Sequence, residues 1–191
     1  MLTDQAYQDA ANDLGVDVAT IKAVAEVESA GDGFLHDGTP KILFEPHIFW
    51  KELRKRNVNP NDYLPLNADI LYPTWGAKPY GKYSAQHDRL KRAVAINNEA
   101  ALCSASWGKF QIMGFNYKAA GFNLLQSFIN AMYKDEDAHL KAFVDYIQHE
   151  FLDDELRAKD WKGFARAYNG AAYHKNKYDL KLAAAYKKYS K

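Results

Sequence analysis

Residues 21–31, Ile21-Lys22-Ala23-Val24-Ala25-Glu26-Val27-Glu28-Ser29-Ala30-Gly31, read as a helix that ends at Gly31, a residue suited to the left-handed position after a last turn. With Val24 at the origin of a wheel of about 100° per residue, Ile21, Ala25 and Thr20 fall within about a right angle of it. Glu28 lies near the middle of the same apolar stripe. Glu26 falls nearly opposite, beside Lys22, which predicts a solvated charge with a weak ion pair. Glu28 is therefore a carboxyl aimed at the core from a helix's last turn. Burial disfavours its charged form, and the negative end of the helix dipole pushes the same way. A carboxylic acid kept protonated near neutral pH suits a general acid, as glycosidic bond cleavage requires. The residues alone leave open a Glu whose stem packs while its head escapes through the helix end.

The chain has 191 residues, 48% hydrophobic, with a formal net charge of +1. That length predicts one domain with a real core, and the composition excludes disordered, collagen-like and membrane-spanning classes. The charge balance predicts no nucleic-acid binding by the whole chain. The single cysteine, Cys103, allows no intramolecular disulfide and reads as a small buried hydrophobe. Met1-Leu2-Thr3-Asp4-Gln5 shows no basic patch followed by an apolar run, so neither a cleavable secretion signal nor a transmembrane segment is expected.

In chain order, Thr3 caps a first helix to about Asp13, Leu14-Gly15 ends it, and Asp17 caps the helix carrying Glu28. Asp32-Gly33 and Asp37-Gly38 flank short apolar runs up to Lys41-Ile42-Leu43-Phe44, which predicts a small hairpin or irregular β segment directly after that helix. A helical stretch runs from Ile48 to about Lys55. From about 57 to 83, Pro60, Pro65, Pro73 and Pro79 forbid a long helix. Leu64, Ile70, Leu71, Tyr72 and Trp75 there are too apolar for a disordered linker, so an ordered loop insertion is expected. Further helices fit Ser84–Ala101, Leu124–Tyr133, Glu136–His149, Leu152–Ala158, Trp161–Tyr168 and Asp179–Tyr189. The expected fold class is mainly α (α+β).

Common site signatures are missing. His36, His47, His87, His139, His149 and His174 show no HExxH spacing, and no CxxC is present, so no metal is expected. Phosphate-binding glycine patterns and a GxSxG elbow are absent as well, and no cofactor is implied.

Three separated segments share one resemblance. Glu28-Ser29 at a helix end, Gly108-Lys109-Phe110-Gln111-Ile112-Met113, and Ala167-Tyr168-Asn169-Gly170 resemble the Glu-Ser, G-x-x-Q-x-M and A-Y-N motifs of goose-type lysozymes and soluble lytic transglycosylases. The wider pattern is similar to the phage-type N-acetylmuramidase family found in endolysins. Ala23 to Glu45 matches that family almost throughout, Ser106 to Asn116 matches its S-W-G-x-x-Q-I-M-G-F-N segment, and Tyr168-Asn169-Gly170 its Y-N-G. The resemblance covers nearly all of residues 1–191, as a single lysozyme-like domain without a separate wall-binding module. There are departures from the broader superfamily. About 80 residues separate Glu28 from Gln111, Gly114 replaces a proline, and the only aspartates in the β region are Asp32 and Asp37, both in turns.

The resemblance implies a lysozyme-like helical fold. It implies an endolysin that hydrolyses the β-1,4 bond between N-acetylmuramic acid and N-acetylglucosamine, with Glu28 as general acid. The alternatives are a lytic transglycosylase leaving 1,6-anhydro ends, and a non-catalytic wall-binding or virion domain. Tyr168 is expected near Glu28 and hydrogen-bonded to it, or as a core tyrosine at a helix end. Asn169 is expected to orient water or a substrate amide, or to cap the helix. Gln111 and Met113 are expected to line the sugar groove, and Ser106 to position the site or cap a helix. Glu45 is the candidate second carboxylate, against a buried structural pair with Lys or Arg. The expected partner is peptidoglycan glycan strands, the expected state a monomer. The expected location is a bacterial host's cytoplasm, with action on the periplasmic wall after release. From Tyr173 on, six lysines face one acid, Asp179. Leu180, Ala183, Ala184, Tyr186 and Tyr189 are read as its apolar side, which makes a basic helix suited to anionic outer-membrane lipid or lipopolysaccharide, or simply a solvated terminal helix.

Overall fold

Capping residues set the first two helices. In the computed structural model of the chain, residues 1–29, 31–170 and 173–191 are described. Thr3 Oγ1 accepts from the Ala6 amide at 3.1 Å and starts α1, Asp4–Leu14, and Gly15 ends it in the left-handed region at φ 67°. Asp17 Oδ1 accepts from the Thr20 amide at 2.7 Å and starts α2, Val18–Glu28. The apolar stripe of α2 is the buried one, with Thr20, Ile21, Val24 and Ala25 all inside. The helix stops at Glu28 because Ser29 is extended (φ −80°, ψ 139°). Gly31 takes the left-handed region at φ 84°, but outside the helix rather than as its cap.

The β segment expected after α2 is present in irregular form, and the regular sheet is built from more distant parts of the chain. After α2 an isolated antiparallel bridge, Phe34 to Pro40, joins the two turn sequences, flanked by backbone bonds from Leu35 N to Thr39 O and from Lys41 N to Gly33 O, each 2.8 Å. Strand β1, Ile42–Phe44, pairs instead with β2, Ala105–Trp107, which pairs with β3, Ile112–Met113, all antiparallel. Ser106 sits in the middle, opposite Leu43 on one side and Met113 on the other. The regular hairpin is therefore β2–β3, and its turn needs two left-handed residues, Gly108 at φ 70° and Gln111 at φ 51°. Trp107 is buried in it and its Nε1 donates to Leu102 O at 3.1 Å.

Helices make up the rest. Pro46 at the first turn starts α3, Pro46–Lys55. Segment 57–83 holds a 3₁₀ turn at Pro60–Tyr63 and the one-turn helix α4, Leu64–Asn67, and is otherwise irregular. It is anchored: Ile70 and Leu71 are fully buried, and Arg92 grips Asp69 with both terminal nitrogens, at 2.7 and 2.9 Å. The helical stretch expected from Ser84 to Ala101 is two helices, α5, Gln86–Ile96, and α6, Asn98–Cys103. Asn97, extended at φ −158°, ends one, and its side chain caps the other. Then come α7, Leu125–Lys134; α8, Glu136–His149; α9, Asp153–Ala158; and α10, Trp161–Asn169. Cys103 is buried, as expected of a small hydrophobe.

The last helix, α11, Tyr178–Tyr189, lies along α2 and against α10. Its buried side is Leu182 and Ala185, whereas Leu180, placed on the apolar side from sequence, is exposed. Two contacts fix its register on α2: Tyr186 donates to Asp17 Oδ2 at 3.0 Å, and Lys188 Nζ to Glu26 Oε2 at 2.6 Å. Glu26 thus faces away from the core, but its partner is Lys188; Lys22 pairs with Asp4 at 3.5 Å.

Candidate active site

The ends of α2 and α10 converge. Glu28 is the last residue of α2, and Tyr168 and Asn169 are the last two of α10. The β2–β3 hairpin brings Gln111 and Met113, α8 brings Tyr146, and α11 brings Tyr178. Together these line one cleft of about 340 Å³. Glu28 is its only carboxyl among the described residues.

Asn169 Nδ2 donates to Glu28 Oε1 at 3.0 Å. The carbonyl oxygen of a carboxylic acid is a better acceptor than its hydroxyl oxygen, so this bond favours an acid form with the proton on Oε2. Burial pushes the Glu28 pKa up to about 7, outweighing the Asn169 hydrogen bond and the Lys181 charge, which pull it down. Tyr168 is close enough for the Glu28 charge to act on it, and burial first, then that charge, keeps its phenol neutral. The bond expected from Tyr168 to Glu28 comes from Asn169 instead. Tyr168 stacks on Phe164 at 5.7 Å and meets Phe143 edge-on.

Gln111 belongs to the wall of the cleft, and Ser106 lies behind it. Gln111 Nε2 donates to Gly108 O at 2.8 Å and Lys41 O at 3.2 Å, and its Oε1 accepts from Ser106 Oγ at 2.9 Å. The amide thus ties the hairpin turn to the segment before β1, which explains why a non-glycine is held at positive φ here. Ser106 is in a strand and caps no helix, and its hydroxyl reaches Gln111. Met113 lines the cleft.

Glu45 does not line this cleft. It accepts from the Tyr80 hydroxyl, and its Oε2 lies 3.3 Å from His47 Nδ1. Its companions are thus a phenol and an imidazole, neither of the Lys or Arg partners weighed from sequence. Asp37 is exposed and bonded to Thr39, with that hydrogen bond holding its pKa below the usual range.

A support network unseen in the sequence holds the segment after Glu28. The buried Glu136 accepts from the Gly33 amide at 2.7 Å, with Lys109 Nζ and the Met1 ammonium each 3.3 Å from its carboxylate. Burial raises its pKa, but the Gly33 amide and the Lys109 charge outweigh that and hold it below the ordinary range. Lys109 Nζ also donates to Gly31 O at 2.9 Å. Buried His139 accepts from the Lys109 amide at Nδ1 (3.1 Å) and lies 2.8 Å from Met132 O through Nε2, which assigns the proton to Nε2. A Cβ on Gly33 or Gly108 would fall 2.7 or 2.9 Å from His139 Nδ1. The paired glycines were the available sequence signal for this close approach.

Among the described residues, no group of three or more His, Cys, Asp or Glu is placed to hold a metal, and no helix is long and apolar enough to cross a membrane. The profile of the N-acetylmuramidase family matches residues 17–190. The crystal structure of Burkholderia AP3 phage endolysin is similar, with a TM-score of 0.91 and 40% identity, covering 99% of this chain and 71% of that one. No curated protein matches.

Proposed function

The chain belongs to the N-acetylmuramidase family, and from that premise we propose that Glu28 is the general acid of a peptidoglycan-cleaving glycosidase acting as an endolysin. The carrying observation is a partly buried carboxyl with a pKa of about 7 at the end of α2, bonded among the described residues on one oxygen, in a cleft walled by aromatic and amide side chains. Oε2 delivers the proton to the oxygen joining N-acetylmuramic acid to N-acetylglucosamine. Tyr146, Tyr168 and Tyr178 offer faces for sugar rings. Asn169 holds the acid in orientation, and Gln111 and Met113 shape the groove.

Digestion of purified peptidoglycan should leave reducing N-acetylmuramic acid ends, read by mass spectrometry before and after borohydride reduction. Mainly 1,6-anhydro ends would establish transglycosylation. No change in the glycan would leave a non-catalytic wall-binding domain.

We propose in addition that the exposed face of α11 contacts anionic outer-membrane lipid or lipopolysaccharide. Lys187 and Lys191 are exposed, whereas Lys188 is taken by Glu26. Replacing Lys187 and Lys191 with Gln should slow lysis of intact cells more than cleavage of purified peptidoglycan, with the gap closing as salt rises. Equal effects on both substrates would leave α11 a solvated terminal helix.

A further inference from the structure

Lys181 stands between two concavities. Its ammonium lies 5.4 Å from the centroid of the Tyr178 ring, and Tyr178 lines the Glu28 cleft. Lys181 also borders a groove of about 460 Å³ between α2 and α11, lined by Glu26, Val27, Lys181, Ala184, Ala185 and Lys188. Tyr178, which lines the cleft, and Lys181, which lines the groove, are three residues apart on α11 and share a face, so the groove starts next to the cleft.

The chemistry of the groove is uneven. Its floor is small and apolar, from Val27, Ala184 and Ala185. Of its charged groups, Glu26 and Lys188 are joined at 2.6 Å, with the Tyr189 hydroxyl also donating to Glu26. Lys181 has no contacting ion-pair partner among the described residues, which leaves one cation uncommitted on this wall.

Muramic acid in peptidoglycan carries a peptide on its lactyl ether, rich in alanine and bearing free carboxylates. When the glycosidic bond of that sugar sits at Glu28, the peptide must leave the cleft close by. We propose that Lys181 and the α2–α11 groove form a subsite for this acidic stem peptide, with the ammonium taking a peptide carboxylate and the small apolar floor taking alanine methyls. This rests on the muramidase reading of Glu28.

The test uses the full chain on two substrates: glycan strands bearing their peptides, and the same strands stripped of peptide by an amidase. For Lys181→Gln, the ratio of kcat/KM on peptide-bearing to stripped glycan should fall about fivefold, the upper end for an exposed ion pair, mainly through KM. Lys181→Arg should restore the ratio. An unchanged ratio overturns the proposal. In particular, an equal loss on both substrates, with the alkaline limb of the pH profile moved upward, would mean that Lys181 acts only through its charge on Glu28. Failure of the parent protein to cleave either substrate would overturn the muramidase reading itself.

Discussion

Glu28→Gln should lower peptidoglycan turnover by about 10²- to 10⁴-fold and at the same time stabilise the fold at alkaline pH. Gln keeps the shape of the protonated acid. Its oxygen can accept from Asn169 Nδ2 as Glu28 Oε1 does at 3.0 Å, and its amide stands where the acid's proton would be. The stability effect follows from the raised pKa. Below the ordinary value of 4.5, Glu28 is protonated in both folded and unfolded chains and costs nothing. Between 4.5 and about 7 the unfolded chain releases its proton and the folded chain keeps it, so the cost grows with pH and is complete above 7. At about 1.36 kcal/mol per tenfold change in proton affinity, the full cost is at most about 3 kcal/mol. Urea midpoints of parent and variant should therefore coincide near pH 4 and separate near pH 8, the variant being the more stable. Activity of the parent should decline on the alkaline side as Glu28 ionises. Glu26→Gln, on the opposite face, should stay within a few-fold of the parent. Retained turnover in a folded Glu28→Gln protein would remove Glu28 from the acid role.

The acid was legible because its signal is local. Thr20, Ile21, Val24, Ala25 and Glu28 share one face of one helix, and periodicity alone places that face toward the core. The caps at Thr3, Asp17 and Gly15 were legible for the same reason. What failed to show depends on segments far apart in sequence. Asn169 reaches Glu28 only because α10 ends beside α2, 141 residues away. Strands of two and three residues carry too little alternation to read, so β2 and β3 were seen as a motif but not as a hairpin. Glu26 was assigned to Lys22 by helical spacing, but tertiary packing of α11 supplied Lys188 at closer range. Glu45 sits at the end of the β1 segment, as expected, yet the 57–83 segment brings Tyr80 onto it, and no periodicity foretells that contact.

Glu136→Ala should be the most destabilising single change near the site, costing about 3–5 kcal/mol, because it removes one partner of a buried charged network. Glu136 is 5% exposed and serves the Gly33 amide and Lys109 at once. Its loss leaves the buried Gly33 N–H without an acceptor and the mostly buried Lys109 ammonium without a countercharge, held by the Gly31 carbonyl alone. Glu136→Gln keeps an oxygen for Gly33 and loses only the charge, so it should cost less. The pH dependence has the opposite sign to that of Glu28. Glu136 has its folded pKa below the ordinary 4.5, so its stabilisation is present above 4.5 and is lost as pH falls through the lower folded value. Denaturation curves of parent and Glu136→Ala should then be well separated at pH 7 and draw together in acid. A separation under about 1 kcal/mol at pH 7, where the median exposed ion pair lies, would show that the network is not holding this part of the fold. The consequence for catalysis runs through the backbone. Gly33 and Gly31 are both fastened by this network, one to Glu136 and the other to Lys109, and both belong to the segment that follows Glu28. Releasing Gly33, and with it the anchor of the Lys109 that holds Gly31, should loosen the exit of α2, so Glu136→Ala should lose activity at temperatures where it is still folded, and Glu136→Gln should lose less.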